Sequence, residues 1–170
     1  MALINNSAQI IVDGWSYSDT GGDGAIRPKY VIPLEVLASV GSEIPVDRPI
    51  GVFAAAGVTA DQILPFLDKL DLIVVEFPKF RDGRGFTVAR ALRDRHGFKG
   101  DIRAIGHVLP DQFAALVQCG FSTIVTPPEH PPVQWQQGAL SASRLLSGGP
   151  LLQRLIGRRA AAPANEEERS

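Results

Sequence analysis

With a single cysteine, Cys119, the chain cannot by itself build a disulfide, a Cys-x-x-Cys redox pair or an iron–sulfur cluster. That residue stands at a helix end before Gly120 and is expected to be buried, as free cysteines generally are. Histidine is nearly as scarce, with three scattered residues, so no metal site is expected. Neither sign of charge dominates: 17 Lys and Arg stand against 18 Asp and Glu, a formal net charge of −1. The whole molecule therefore has no electrostatic reason to bind nucleic acid or an anionic membrane. No apolar run reaches membrane-spanning length, and the opening Met1-Ala-Leu-Ile-Asn-Asn-Ser7 lacks the basic and apolar regions of a signal peptide. A cytoplasmic protein is expected.

What is present is a core and a beat. A chain of 170 residues with 45% apolar content fills one good core and leaves little room for a second. One domain is expected over residues 1–157, with residues 158–170, rich in Ala, Pro and Glu, as a disordered tail. Residues 49–54 read as a short strand. A helical segment follows in which Ile63, Phe66, Leu67 and Leu70 share a face, opened by a Thr59/Gln62 capping box and kinked or restarted at Pro65. Strands are expected over 72–76, 102–106 and 121–125, with helices over 85–96 and after Pro110. Strands alternating with helices make parallel, right-handed crossovers. The fold class is thus a single α/β domain with a mostly parallel sheet of about four to six strands in βα repeats, half-barrel-like or doubly wound.

The ends are less regular. Residues 9–12 read as an added strand, and residues 14–29, with Gly21, Gly22 and Gly24, as a mobile loop. Trp135, Ala139, Ala142 and Leu146 recur at helical spacing. Gly148-Gly-Pro150 stops that helix, and Leu151, Leu152, Leu155 and Ile156 suggest one more short amphipathic helix, suited to packing or to docking a partner. Trp15, Phe86 and Trp135 each join an apolar pattern and are read as packing residues.

Eight of the 17 Lys and Arg fall between Lys79 and Arg103. Helical geometry sorts them. Val88, Ala89 and Leu92 define a buried face, which turns Arg90 and Asp94 outward as a surface pair and leaves Arg93 and Arg95 to snorkel along its flanks. Arg103 lies toward the start of its strand. Lys79, Arg81 and Arg84 stand around Gly83 and Gly85, where a strand hands over to a helix. Open α/β folds hold ligands there, and unpaired N–H groups, a helix dipole, close backbone approach at glycine and an arginine fork together suit an oxyanion. The competing reading is that Asp82 caps the helix, the glycines make the turn and the cations are solvated. Glu76, Asp82, His107 and Asp111 are the candidate acids and bases near that end of the sheet. The local alternative for His107 and Asp111 is a loop histidine and a first-turn acid facing the helix dipole.

The block Glu76-Phe-Pro-Lys-Phe-Arg-Asp-Gly-Arg-Gly-Phe86, with its continuation to Gly106, Val108-Leu109, Asp111-Gln112 and Cys119-Gly-Phe121, resembles the bacterial family DUF934 over about residues 48–126. Members of that family are labelled oxidoreductases of sulfite reduction, because their genes lie beside those of a sulfite or nitrite reductase haemoprotein. The resemblance therefore implies a link to assimilatory sulfite reduction and names that haemoprotein as a partner.

No cofactor is expected. One cysteine cannot hold the cluster that six-electron sulfite reduction uses, and Gly21-Gly-Asp-Gly24 neither follows a clear strand nor opens a helix as a dinucleotide turn does. Two functions remain open. One is an accessory protein of sulfite reduction that binds the anion or contacts the reductase. The other is a small α/β enzyme acting on an anionic metabolite, with Arg84 and Lys79 holding substrate and Glu76, Asp82 or His107 as acid or base.

Overall fold

The computed structural model describes residues 1–17, 26–41, 44 and 48–147. Its strands are β1 (Ala2–Asn5), β2 (Ile10–Ile11), β3 (Ser16–Tyr17), β4 (Tyr30–Pro33), β5 (Ile50–Ala54), β6 (Leu72–Phe77), β7 (Asp101–Gly106) and β8 (Thr123–Thr126). They form one sheet in the order β2-β1-β8-β7-β6-β5-β4-β3. From β3 to β8 each strand lies parallel to the next in sequence, while β1 joins β8, and β2 joins β1, antiparallel. A doubly wound sheet reverses its strand order partway. This one never does, so right-handed crossovers put every helix on one face and curl the sheet into a half-barrel.

Five consecutive βα units build it. The helices are α1 (Leu34–Val40), α2 (Ala60–Ile63), α3 (Arg84–Arg90), α4 (Phe113–Gln118) and α5 (Pro132–Ser147). Pro65 restarts α2 as a 3-10 segment, Leu64–Lys69, since proline removes the donor that an α-helix interior needs. The capping box forms, with Thr59 N–H donating to Gln62 Oε1 at 2.9 Å. α3 widens into a π turn, Ala91–Arg95. Alternation along the strands sends Ile50, Val52, Ala54, Ile73, Val75, Phe77, Ile102 and Ala104 toward the helices, where they join Ile63, Val88, Leu92, Leu116 and a fully buried Trp135 in the main core.

The opposite, concave face has its own small cluster. Val31, Leu72 and Val74 are buried there under Trp15, Phe53 and Ile105. Trp15 lies against Gly51, where a Cβ would sit 3.1 Å from the indole ring. Beside this cluster Arg103, 2% exposed, donates to both carboxylate oxygens of Asp13 at 2.9 Å, to Tyr17 Oη at 2.8 Å, to Asp101 and to Thr123. Burial raises the Tyr17 pKa. An arginine expected only at a strand start thus straps the N-terminal segment across the concave face.

Several sequence expectations change in detail. The sheet gains β1, β3 and β4, and β3 occupies part of the segment read as a loop, whose residues 18–25 lie outside the described structure. Arg93 does not merely snorkel: it donates to the carbonyls of Gly120, Phe98 and Gly100 at 2.7 to 2.9 Å, tying the α3 end to neighbouring turns. Arg90 reaches Cys119 Sγ at 3.7 Å rather than Asp94, and Cys119 is buried as expected. The Leu151–Ile156 segment and the 158–170 tail lie outside the described residues. Among the described residues no helix is long and apolar enough to cross a membrane.

Candidate functional site

The carboxyl ends of β5, β6 and β7 stand side by side, and three loops leave them. Main-chain and amide bonds knit these loops together. His107 N–H donates to Phe77 O at 2.8 Å, Gln112 Nε2 to Phe80 O at 2.8 Å, and Leu109 N–H to Gln112 Oε1 at 3.0 Å. Gly106 makes the first of these approaches feasible: its φ is +99°, and a Cβ there would stand 2.5 Å from Phe77 O. Glu76, on the concave side of β6, accepts from Ala56 N–H at 3.0 Å and so fixes the loop after β5.

The loop after β6 turns at residues 79–82, where Asp82 N–H donates to Lys79 O at 3.0 Å. Asp82 is its organiser. Its Oδ1 accepts from Arg84 N–H at 3.1 Å and from Arg84 Nε at 2.9 Å, and its Oδ2 accepts from Arg84 Nη2 at 2.6 Å. These bonds from Arg84 hold the Asp82 pKa down at about 2, and the carboxylate in turn raises that of Arg84. An acid so strong is a poor proton acceptor at neutral pH. Its structural effect is to use the Nε and Nη2 edge of the guanidinium, which leaves Nη1 on the far side. There Nη1 overlies Gly57, 3.7 Å from where a Cβ would be, and Gly57 has φ +95°.

The other predicted residues are placed differently. Lys79 is exposed, and Arg81 stacks its guanidinium 5.3 Å from the Phe80 ring centre. Gly85 lies against the Phe77 ring, where a Cβ would meet ring carbon at 2.6 Å, whereas Gly83 has open space around it. Phe77, Phe86 and Phe121 form an aromatic trio beneath, with centroids 5.3 to 6.4 Å apart. His107 and Asp111 are exposed on the third loop, and among the described residues neither side chain makes a hydrogen bond. The structure therefore brings together Glu76, Asp82, Arg84 and the Ala56-Gly57 turn, without joining His107 or Asp111 to them.

A cleft of about 280 Å³ opens from Arg84 between α2 and α3 and is lined also by Gly57, Thr59, Thr87, Arg95 and His96. Lys79 and Arg81 are not among its lining residues. Sequence reasoning assigned Arg95 to the flank of an apolar stripe and passed over His96 and Gly57. The available signal was the Asp82-Gly-Arg84 spacing, which suits a side chain accepting from the backbone two residues on. Among the described residues no cluster of His, Cys, Asp and Glu could hold a metal ion.

Residues 51–144, more than half the chain, match the family described as bacterial protein of unknown function, DUF934. The match runs beyond the resembling block into α5. No curated protein matches the chain.

Proposed function

The chain belongs to the DUF934 family, and from that membership and the setting of Arg84 we propose that it is an oxyanion-binding accessory protein of assimilatory sulfite reduction. The observation that carries the anion part is the Asp82–Arg84 pair. It holds one arginine edge and leaves the other, Nη1, by Gly57, and both residues line the cleft. The carboxylates nearby are committed as acceptors, Glu76 to a backbone N–H and Asp82 to Arg84, which favours holding an anion over proton transfer. The link to sulfite rests on the family's association with a sulfite or nitrite reductase haemoprotein, the partner this reading requires.

Replacing the gene by an Arg84→Ala allele tests both parts together. Deletion should slow growth on sulfite as sole sulfur source, cysteine should restore it, and the Arg84→Ala strain should behave as the deletion does. Normal growth of the deletion strain would remove the sulfite role and leave the independent enzyme as the better reading. A growth defect in the deletion strain but not in Arg84→Ala would remove the anion from it.

A further inference from the structure

We propose that Arg84 marks one end of a longer site, and that the cleft between α2 and α3 takes a small organic molecule carrying an anionic group at each end. This inference rests on the reading that Arg84 holds an anion, and adds the ligand's class.

Size argues first. At about 280 Å³ the cleft falls just short of the usual ~300–1,000 Å³ of small-molecule sites, and far exceeds what one sulfite needs when a water takes ~30 Å³. An inorganic oxyanion on Nη1 would leave most of it empty. The lining argues second, because its polar groups are separated. Along the helix the lining runs from Arg84, whose Nη1 lies by Gly57, through Thr87, Val88 and Ala91 to Arg95 and His96.

Arg84 opens α3 and Arg95 closes the π turn that continues it, so their Cα atoms are about 16 Å apart along the axis at 1.5 Å per residue. Both side chains line the cleft, so a ligand held at each guanidinium needs a short carbon chain between its two anionic groups. The π turn, in which His96 N–H donates to Ala91 O at 3.3 Å, sits at the second end, and such turns recur at functional sites. One acid, Asp61, also borders the cleft. Against it stand two permanent cations and a histidine, so the site's charge favours an anion.

The probes are straight-chain dicarboxylates from malonate to azelate, with acetate as the single-headed control and sulfate as the test of the Arg84 end. Titration calorimetry of the full chain should show affinity rising with chain length to a maximum and then falling, with the best diacid at least tenfold tighter than acetate. Arg95→Ala should abolish the length dependence and leave acetate-like binding, while sulfate affinity stays within twofold of wild type. Arg95→Lys, which keeps the charge, should restore most of the length dependence.

If sulfate binds through Arg84 but no diacid is more than twofold tighter than acetate, or if Arg95→Ala binds the best diacid as wild type does, the two-headed site is overturned and the oxyanion reading stands. Binding of neither sulfate nor any diacid to wild type overturns both.

Discussion

Asp82 accepts four hydrogen bonds from one residue, Nε of Arg84 being shared between its two oxygens, and that arrangement has a measurable signature. Its pKa is about 2 in the folded chain against about 3.9 in an unfolded one. Because the folded value is depressed, the unfolded state binds more protons between those values, so Asp82 contributes stability above about pH 4 that is lost as pH falls toward 2. Asp82→Asn should therefore flatten the fall of urea midpoint with pH between pH 4 and 2. An unchanged slope would mean that Arg84 does not hold this carboxylate in solution. The sequence offered Asp82 only as a helix cap beside solvated cations, so its pair with Arg84 was not foreseen. The place of Arg84 over Gly57 was not legible either, since Gly57 is 27 positions upstream and meets Arg84 only because β5 and β6 are neighbours. Arg103 was misplaced in emphasis for the same reason: its partners Asp13 and Tyr17 lie 90 and 86 residues away. Arg103→Met should cost about 1–3 kcal/mol by removing the hydrogen bonds that the buried guanidinium donates to the partly exposed Asp13 and Asp101 and to Tyr17, read from urea unfolding. A loss below about 1 kcal/mol would show that the N-terminal strap is not held this way.

Glycines set how closely the elements approach. Gly85 admits the Phe77 ring and Gly106 admits the Phe77 carbonyl, so β6, α3 and β7 close on one residue. Gly85→Ala should cost about 1–3 kcal/mol by overpacking. Gly106→Ala should cost at least as much, because it adds a positive-φ conformation to a contact with rigid backbone. Chemical denaturation of the two variants checks the order, which a larger loss in Gly85→Ala would reverse. At this scale the middle of the chain was readable from its periodicity, because β5 and β6 are mostly buried apolar runs and the Thr59/Gln62 box and Pro110 mark helix starts. In the first 40 residues only the strand over 9–12 was anticipated, as β2. β3 spans two residues, and β4 passes directly into α1, with Pro33 the one marker at their junction.

For the molecule as a whole, a monotonic strand order has a functional consequence. All loops after β4 to β8 leave the same end of the half-barrel, so residues 56 to 112 can converge there although the sequence spreads them over three βα units. The alternation of strands and helices pointed to that common end, but a half-barrel and a doubly wound sheet share the same local pattern. Only the order of pairing distinguishes them. The partner reading also belongs to this scale. Tagged protein should recover the sulfite or nitrite reductase haemoprotein from lysate of its own bacterium, and recovery of an unrelated protein alone would argue against that partner.

The claim on which the rest depends is that Arg84 holds an oxyanion. Calorimetric titration of the purified chain with sulfite and with sulfate, at low and at high salt, measures it directly. Binding should weaken as salt screens the charge, and Arg84→Ala, titrated at a temperature where circular dichroism shows it folded, should lose at least tenfold in affinity. Equal affinity in wild type and Arg84→Ala, or no heat of binding with either anion, would contradict it.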